Sequence, residues 1–362
     1  MPNSAGAGGR ATLTPKEVKA VLAQFALPAA TSVHEFRKGS SRFPKAIVET
    51  ASGKCLLKRR GGSPEDEARI AYAHDVQLAL SAHHFPVPAL VRTHEGASWV
   101  AWDGAIYELF DFIEGDRFHR SAGEARESGL FLSRLHRTLK GWKPYAAPPH
   151  PGGYHKSRTV AASWSRVASG ILAADPHAAQ AKVAACVADL ERQYAAAMDH
   201  STHVLEAPGS ESRISVIHGD FHPGNLLFVA GSPIVMIDFD AVRPDQTVVD
   251  IANGSLQFGM HPVGDKPVSQ WVPTLNLVTI EAFLRGYALS GPMRLSRAEC
   301  TIIPTLMIEA AIAECVPRVA LSGLFAKRPG AEVLAFVREK TRWIWEERER
   351  IATLCWSCMS GR

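Results

Sequence analysis

No run of basic residues in the 362-residue chain is longer than Lys58-Arg59-Arg60, and a formal charge of +4 is dispersed along it. An electrostatic stripe for nucleic acid is therefore not expected. Uninterrupted apolar stretches of membrane-spanning length are missing too: the longest, Thr301 to Ala326, carries Glu309, Glu314 and Arg318. Met1 to Arg10 is rich in Gly, Ala and Ser without an apolar centre, so a disordered tail over 1–13 is expected and a secretory signal is not. Six cysteines are too few for a disulfide scaffold in a chain this long. Cys55, Cys186, Cys300 and Cys315 lie in apolar surroundings and read as core. Cys355-x-x-Cys358 has no second such pair and no βαβ context, which leaves its role open. A reducing, cytoplasmic setting fits these counts. What is present is ordinary globular composition, 46% hydrophobic and 21% charged, with length for a two-lobed domain or two domains.

The chemistry concentrates in Val216 to Asp238, VIHGDFHPGNLLFVAGSPIVMID. Two short apolar runs, Leu226–Val229 and Ile234–Ile237, flank Ala230-Gly231-Ser232-Pro233, which reads as a four-residue turn. That register sets Asn225 directly across from Asp238, with side-chain roots roughly 5 Å apart. An amide oxygen and a carboxylate at one hairpin end suit a hard divalent cation, and Asp220 lies on the incoming loop. One carboxylate to orient a hydroxyl, with an Asn and an Asp to carry magnesium, is the layout of phosphoryl transfer. A zinc pair from His218 and His222 is disfavoured because Pro223-Gly224 interrupts a helix and no Glu lies between the histidines. A plain hairpin with polar caps leaves the Asp220, Asn225 and Asp238 combination unexplained.

Around this segment the chain divides into a β-rich part and a helical part. Thr14-Pro15-Lys16-Glu17 reads as a capping box that opens a helix. A strand at Val33–Phe36 leads into Gly39-Ser40-Ser41, and a hairpin forms from Ala46–Thr50 and Lys54–Arg59. A helix follows over Pro64–Ser81, and Asp103-Gly104 joins strands Trp99–Trp102 and Ala105–Phe110 as a two-residue hairpin turn. Beyond Glu114-Gly115-Asp116 the pattern turns helical: Glu124–Leu139, then, after the Pro/Gly-rich loop Trp142–Tyr154, Val167–Met198, and helices broken by Gly and Pro after Asp250. No internal repeat is evident.

HGDFHPGN (218–225), IDFD (237–240), Val249-Asp250-Ile251-Ala252 and YELFDFIEG (107–115) resemble the aminoglycoside phosphotransferase and choline kinase superfamily over about residues 30 to 290. The opening helix and the junction at Tyr107 look most like homoserine kinase-like members. The resemblance implies an α+β, two-lobed protein kinase-like fold. Its small antiparallel lobe over 14–113 would bind the nucleotide, and a larger helical lobe over 114–362 would carry the catalytic hairpins and the acceptor. It implies ATP and Mg2+ as cofactors, Asp220 as the catalytic aspartate and Asn225 and Asp238 as metal ligands. His218 and Asp250 would brace the catalytic loop, and Asp240 would be an outer-sphere or structural partner. Lys58 would contact the α- and β-phosphates, with Arg59 the next candidate. Gly39-Ser40-Ser41 would replace the missing GxGxxG loop, with Ser40 and Ser41 on the phosphates. Glu108 to Phe112 would form the adenine-reading hinge, with Glu108 and Phe110 counted among the nucleotide contacts. Glu67 and Asp75 are both open as the acidic partner of Lys58. The implied activity is phosphorylation of a hydroxyl on a small molecule, an amino alcohol such as homoserine or a choline-like compound, with neither nucleic acid nor membrane as partner. An aminoglycoside is the runner-up acceptor, and a regulatory pseudokinase or a hydrolase acting on water are the rival activities.

Overall fold

A computed structural model describes residues 11–37, 43–148, 153–290 and 294–361. The chain groups into two units. One comprises Met1–Asp116, Lys143–Pro149 and Ile234–Ala241, and the other Arg117–Trp142, His150–Pro233 and Val242–Arg362. Ser40 and Ser41, expected at the phosphates, lie outside the described residues.

The first unit is built on a five-stranded antiparallel sheet in the order β1-β2-β3-β5-β4. Its strands are β1 (Ala30–Glu35), β2 (Lys45–Thr50), β3 (Gly53–Gly61), β4 (Val100–Trp102) and β5 (Ala105–Asp111). The expected capping box is present: Thr14 Oγ1 accepts from Glu17 N and starts α1 (Pro15–Leu22) with Pro at its first position. Ser63 and Asp66 make a second box that opens α2 (Pro64–Ala82). Asp103 and Gly104 have φ of +49° and +71°, the left-handed pair that a tight hairpin turn needs.

Alternation along β3 and β5 sorts the side chains onto two faces. Cys55, Leu57, Tyr107 and Leu109 join Val48, Val21 and Phe25 in one buried cluster under α1. Arg59 falls on this face: its guanidinium bonds Glu17 Oε1 at 3.0 Å, and Tyr107 Oη donates to the same oxygen at 2.6 Å. Arg59 is thereby occupied with α1 and is no alternative to Lys58. The other face carries Lys58, Arg60, Glu108 and Phe110, where His74 of α2 reaches Glu108.

The second unit is helical: α3 (Ala122–Thr138), α4 (Arg158–Ala161), α5 (Trp164–Ala174), α6 (Gln180–Leu205), α7 (Thr247–Gly259), α8 (Leu277–Ser290), α9 (Arg297–Ser322), α10 (Gly330–Glu346) and α11 (Arg348–Ser360). Small residues let α3 and α8 approach closely. A Cβ on Gly129 would stand 2.0 Å from the Phe283 carbonyl oxygen, and one on Gly286 would stand 1.9 Å from that of Arg126. The sequence reading broke the late helices at Pro, yet α9 runs through Pro304 and Pro317. It is long and apolar enough to cross a membrane, but 78% of its apolar window is buried by its neighbours. Burial of so much of its surface offsets the cost of two interior prolines.

β6 (Ile214–Ile217) pairs antiparallel with β9 (Arg243–Gln246), bracketing the motif segment. Between them β7 (Leu226–Val229) and β8 (Ser232–Met236) form a two-stranded hairpin. Its turn is Ala230-Gly231 alone, both at positive φ, +49° and +80°. The four-residue turn is therefore corrected to two residues. A tighter turn shifts strand register by two positions, so Asn225 and Asp238 are not the directly opposed pair that the longer turn would give. A short edge ribbon tolerates Pro233 inside β8, because only one side of the strand is hydrogen-bonded.

Candidate active site

The predicted residues fall into two clusters, one in each unit. In the sheet unit Lys58 lies directly across from Glu108 in the β3–β5 ladder and across from Lys45 in the β2–β3 ladder. Lys58 is 9% exposed; its Nζ stands 3.9 Å from Asp238 Oδ1 and 5.1 Å from the centroid of the Phe110 ring. Neither acid proposed on α2 serves it. Glu67 is exposed, and Asp75 accepts the backbone N–H groups of Tyr145 and Ala146. The acid nearest in register is Glu108, supplied by the sheet itself.

Glu108 is 3% exposed and fully engaged. Oε1 takes His74 Nε2 at 2.8 Å, Oε2 takes the Arg60 guanidinium, and His74 Nδ1 meets Ser98 Oγ at 2.9 Å. Burial would raise its pKa, but the His74 hydrogen bond and the charges of Arg60 and Lys58 outweigh it and hold the carboxyl at about 2. Arg60 spans to Asp240 as well, donating to both carboxylate oxygens, Oδ2 at 2.6 Å. Asp240 is thus anchored to β3. Asp238, two residues earlier, has φ +65°. A non-glycine residue held in the left-handed region costs of order 1 kcal/mol and is characteristic of functional turns.

In the helical unit β6 runs into Gly219 at φ +77°, and the loop is pinned from beneath by Asp250 on α7. Asp250 is 0% exposed; its Oδ2 accepts His218 N and its Oδ1 accepts Gly219 N, both at 2.8 Å. His136 of α3 donates from Nε2 to Asp250 at 3.1 Å, and His136 Nδ1 meets Tyr287 Oη at 2.9 Å. Asp250 therefore braces the loop through its main chain, with His136 as its side-chain partner. Sequence reading missed His136, whose one local signal is a polar residue on the buried face of α3.

Asp220 projects from this brace. Its Oδ1 accepts from Tyr154 Oη at 3.1 Å, and Oδ2 is 3.6 Å from His222 Nε2. His222 Nδ1 accepts Gly224 N at 2.9 Å, so the ring proton is on Nε2, facing the carboxylate. Pro223–Asn225 is a 3-10 turn, so the two histidines are not helical neighbours. Burial pushes the Asp220 carboxyl up, but His222, His218 and the Tyr154 hydrogen bond together bring it down to about 2. Asn225 is buried, and its Nδ2 donates to the Asp220 carbonyl at 3.0 Å, which leaves the amide oxygen for another partner. Tyr154, in the Pro/Gly-rich loop, was also missed as a contact of Asp220.

A family model described as "Phosphotransferase enzyme family" matches residues 33–287. The chain belongs to that family. Among solved structures, it is similar to the microcompartment-associated aminopropanol kinase, at 16% identity over 93% of this chain and 98% of that one, with a TM-score of 0.66. It is also similar to amicoumacin kinase hAmiN in complex with AMP-PNP, Ca2+ and Ami, at 15% identity over 93% and 96% of the two chains, TM-score 0.62. Choline kinase from Cryptosporidium parvum Iowa II aligns at 12% identity over 90% and 93%, TM-score 0.55. No curated protein matches the sequence. The family confirms the expected superfamily and a phosphotransferase enzyme, and the structural matches confirm the α+β protein kinase-like fold.

Proposed function

We propose that the protein transfers the γ-phosphoryl group of ATP, with Mg2+, to a hydroxyl of a small molecule, an amino alcohol by class. The observation that carries the nucleotide half is the directly opposed pair Lys45 and Lys58 on one sheet face. Like charges in cross-strand positions destabilise a sheet. Burial and the Lys58 charge both lower the pKa of Lys45. A polyphosphate relieves that repulsion, and Phe110 extends the same face.

By donor type both residues suit a magnesium ion: Asp238 would supply a carboxylate, and Asn225 an amide oxygen not used by its hydrogen bond to the Asp220 carbonyl. Magnesium, when bound, would neutralise charge on the phosphate oxygens. Asp220, held ionised, accepts a hydrogen bond from the acceptor hydroxyl and fixes its direction of approach. The hydroxyl oxygen then bonds to the γ-phosphorus as the bond from that phosphorus to the β–γ bridging oxygen breaks. ADP leaves, and the hydroxyl proton passes to the carboxylate or to water. With a loose transition state little proton removal is needed early, so a carboxylate of low basicity suffices. Structural neighbours named aminopropanol kinase and choline kinase support the amino alcohol class.

A panel of hydroxyl compounds incubated with ATP and Mg2+ tests this reading. Transfer to at least one is expected, together with its loss on chelation. ATP binding without any transfer or hydrolysis would instead indicate the pseudokinase. Lys58→Met is expected to raise the Michaelis constant for ATP about 10–100-fold, the value of one or two charge-assisted hydrogen bonds. An unchanged constant removes Lys58 from the phosphates.

A further inference from the structure

Asp220 meets the tyrosine of a segment, residues 153–157, that is fastened along its length. Gly153 lies against the Arg243 guanidinium of β9: a Cβ there would stand 2.9 Å from Nη2. Nη1 of the same guanidinium donates to the Gly219 carbonyl at 3.4 Å, so Arg243 joins this segment to the loop that carries Asp220. Tyr194 of α6, 5% exposed, staples the segment. Its hydroxyl donates to the Tyr154 carbonyl at 2.7 Å and accepts from Ser157 N at 3.0 Å. His155 Nδ1 meets Oε2 of the buried Glu309 on α9 at 2.8 Å, and Lys156 pairs with Glu206 at the end of α6. Held in this way, the Tyr154 hydroxyl reaches Asp220 Oδ1 at 3.1 Å.

Such a contact orients and does not react. A carboxylate turns easily about χ2, whose energy wells are broad and two-fold. Asp220 N donates to His218 Nδ1 at 3.3 Å, which holds the main chain but not the plane of the carboxylate. The Tyr154 hydroxyl fixes that plane by taking Oδ1. Oδ2 keeps only a longer contact to His222 Nε2, at 3.6 Å, and can still accept a short hydrogen bond. Burial raises the Tyr154 pKa, and the charge of Asp220 raises it further. A phenol that stays protonated beside a carboxylate donates to it and takes no proton from an acceptor.

We propose that Tyr154 is a positioning residue for the transfer: its hydroxyl caps Asp220 Oδ1 and turns Oδ2 toward the acceptor hydroxyl. This rests on reading Asp220 as the residue that holds the acceptor hydroxyl. With a loose transition state the aspartate removes little of the proton early, so most of its value lies in the direction it gives the nucleophile. A partner that fixes the carboxylate plane acts on that direction. It therefore acts on turnover and not on nucleotide binding.

Tyr154→Phe removes one oxygen and keeps the ring. In the full chain with ATP, Mg2+ and the fastest acceptor among 3-aminopropanol, choline and L-homoserine, kcat is expected to fall about 10–100-fold, the value of one hydrogen bond to a charged group, with the KM for ATP unchanged. A double-mutant cycle with Asp220→Ala separates positioning from structure. Without the carboxylate the tyrosine has nothing to hold, so Tyr154→Phe is expected to change the residual rate by less than about 2-fold. An equal loss in both backgrounds overturns the proposal, because it places the hydroxyl's effect on the substrate or on the fold. A kcat of Tyr154→Phe within about 2-fold of wild type overturns it as well. A second measurement needs no turnover. In protein labelled with carbon-13 at tyrosine Cζ, the chain's six tyrosines let the Tyr154 resonance be assigned by its loss in Tyr154→Phe. That resonance is expected to move at pH 7 on Asp220→Ala, and one that stays in place overturns the proposal. The two failures are distinct. Transfer by the wild type with an unmoved resonance overturns the Tyr154–Asp220 pairing and keeps the kinase reading, whereas a shifted resonance with no Mg2+-dependent transfer overturns the kinase reading and, with it, the positioning role.

Discussion

Asp220→Ala is expected to lower kcat by roughly 10²–10⁴-fold, the contribution of a positioned proton-accepting group, and to leave ATP binding intact. The carboxylate is held by two named neighbours, Tyr154 Oη at 3.1 Å and His222 Nε2 at 3.6 Å, while Asn225 bonds only the main-chain carbonyl of residue 220. Removing the side chain therefore takes away the hydroxyl's partner without dismantling the loop. Because the carboxyl is brought down to about 2, it is ionised throughout the working range. The wild-type rate should show no limb from Asp220 between pH 5 and 8. Asp220→Asn keeps the shape and removes the charge, so a kcat close to that of the alanine variant would assign the effect to charge. Steady-state rates and calorimetric ATP binding on the same preparations separate the roles. Turnover by Asp220→Ala within a few-fold of wild type would mean that the hydroxyl is oriented elsewhere.

The local features of this fold were legible in the sequence because short-range chemistry sets them. The Thr14–Glu17 box, the Asp103-Gly104 turn and Pro64 at the start of α2 each act within a few residues. The Ala230-Gly231 turn was misread because Ala at φ +49° carries no turn signature, whereas Ser232-Pro233 mimics one. The acid beside Lys58 was sought on α2, but the carboxylate that meets its ammonium is Asp238, 3.9 Å away, and the cross-strand acid is Glu108; both are brought there by tertiary structure across about fifty residues of chain or more. His136 and Asp250 meet across 114 residues, and no pattern in either helix announces that. Helix α9 defied the proline signal because packing on every side outweighs local preference. The candidate residues thus form a motif readable in the sequence, and what packs around them is tertiary.

That support carries the second large expectation: Asp250→Ala should cost about 3–5 kcal/mol of stability, the cost of breaking a buried charged network by removing one partner. Its carboxylate takes the N–H groups of His218 and Gly219 and the His136 ring with no exposure to water, so each donor is left without an acceptor. Burial would raise the Asp250 pKa, yet the His136 hydrogen bond, the His136 and His218 charges and the Gly219 N–H lower it below 3.8. In that range the unfolded chain binds the proton more readily than the native one. The contribution is therefore complete above the unfolded pKa of about 3.9 and is lost as pH falls through the lower native value. Urea unfolding followed by circular dichroism at pH 7 and in steps below pH 4 measures both effects. A loss under about 1 kcal/mol at pH 7 would show that the brace is dispensable. Asp250→Asn sharpens the test, because it keeps an acceptor oxygen for one N–H but turns an amide against the other. If it remains folded at 25 °C while kcat falls with an unchanged KM for ATP, Asp250 acts by holding the Asp220 loop in its reactive geometry, and its stabilising and positioning effects are two readings of the same three hydrogen bonds.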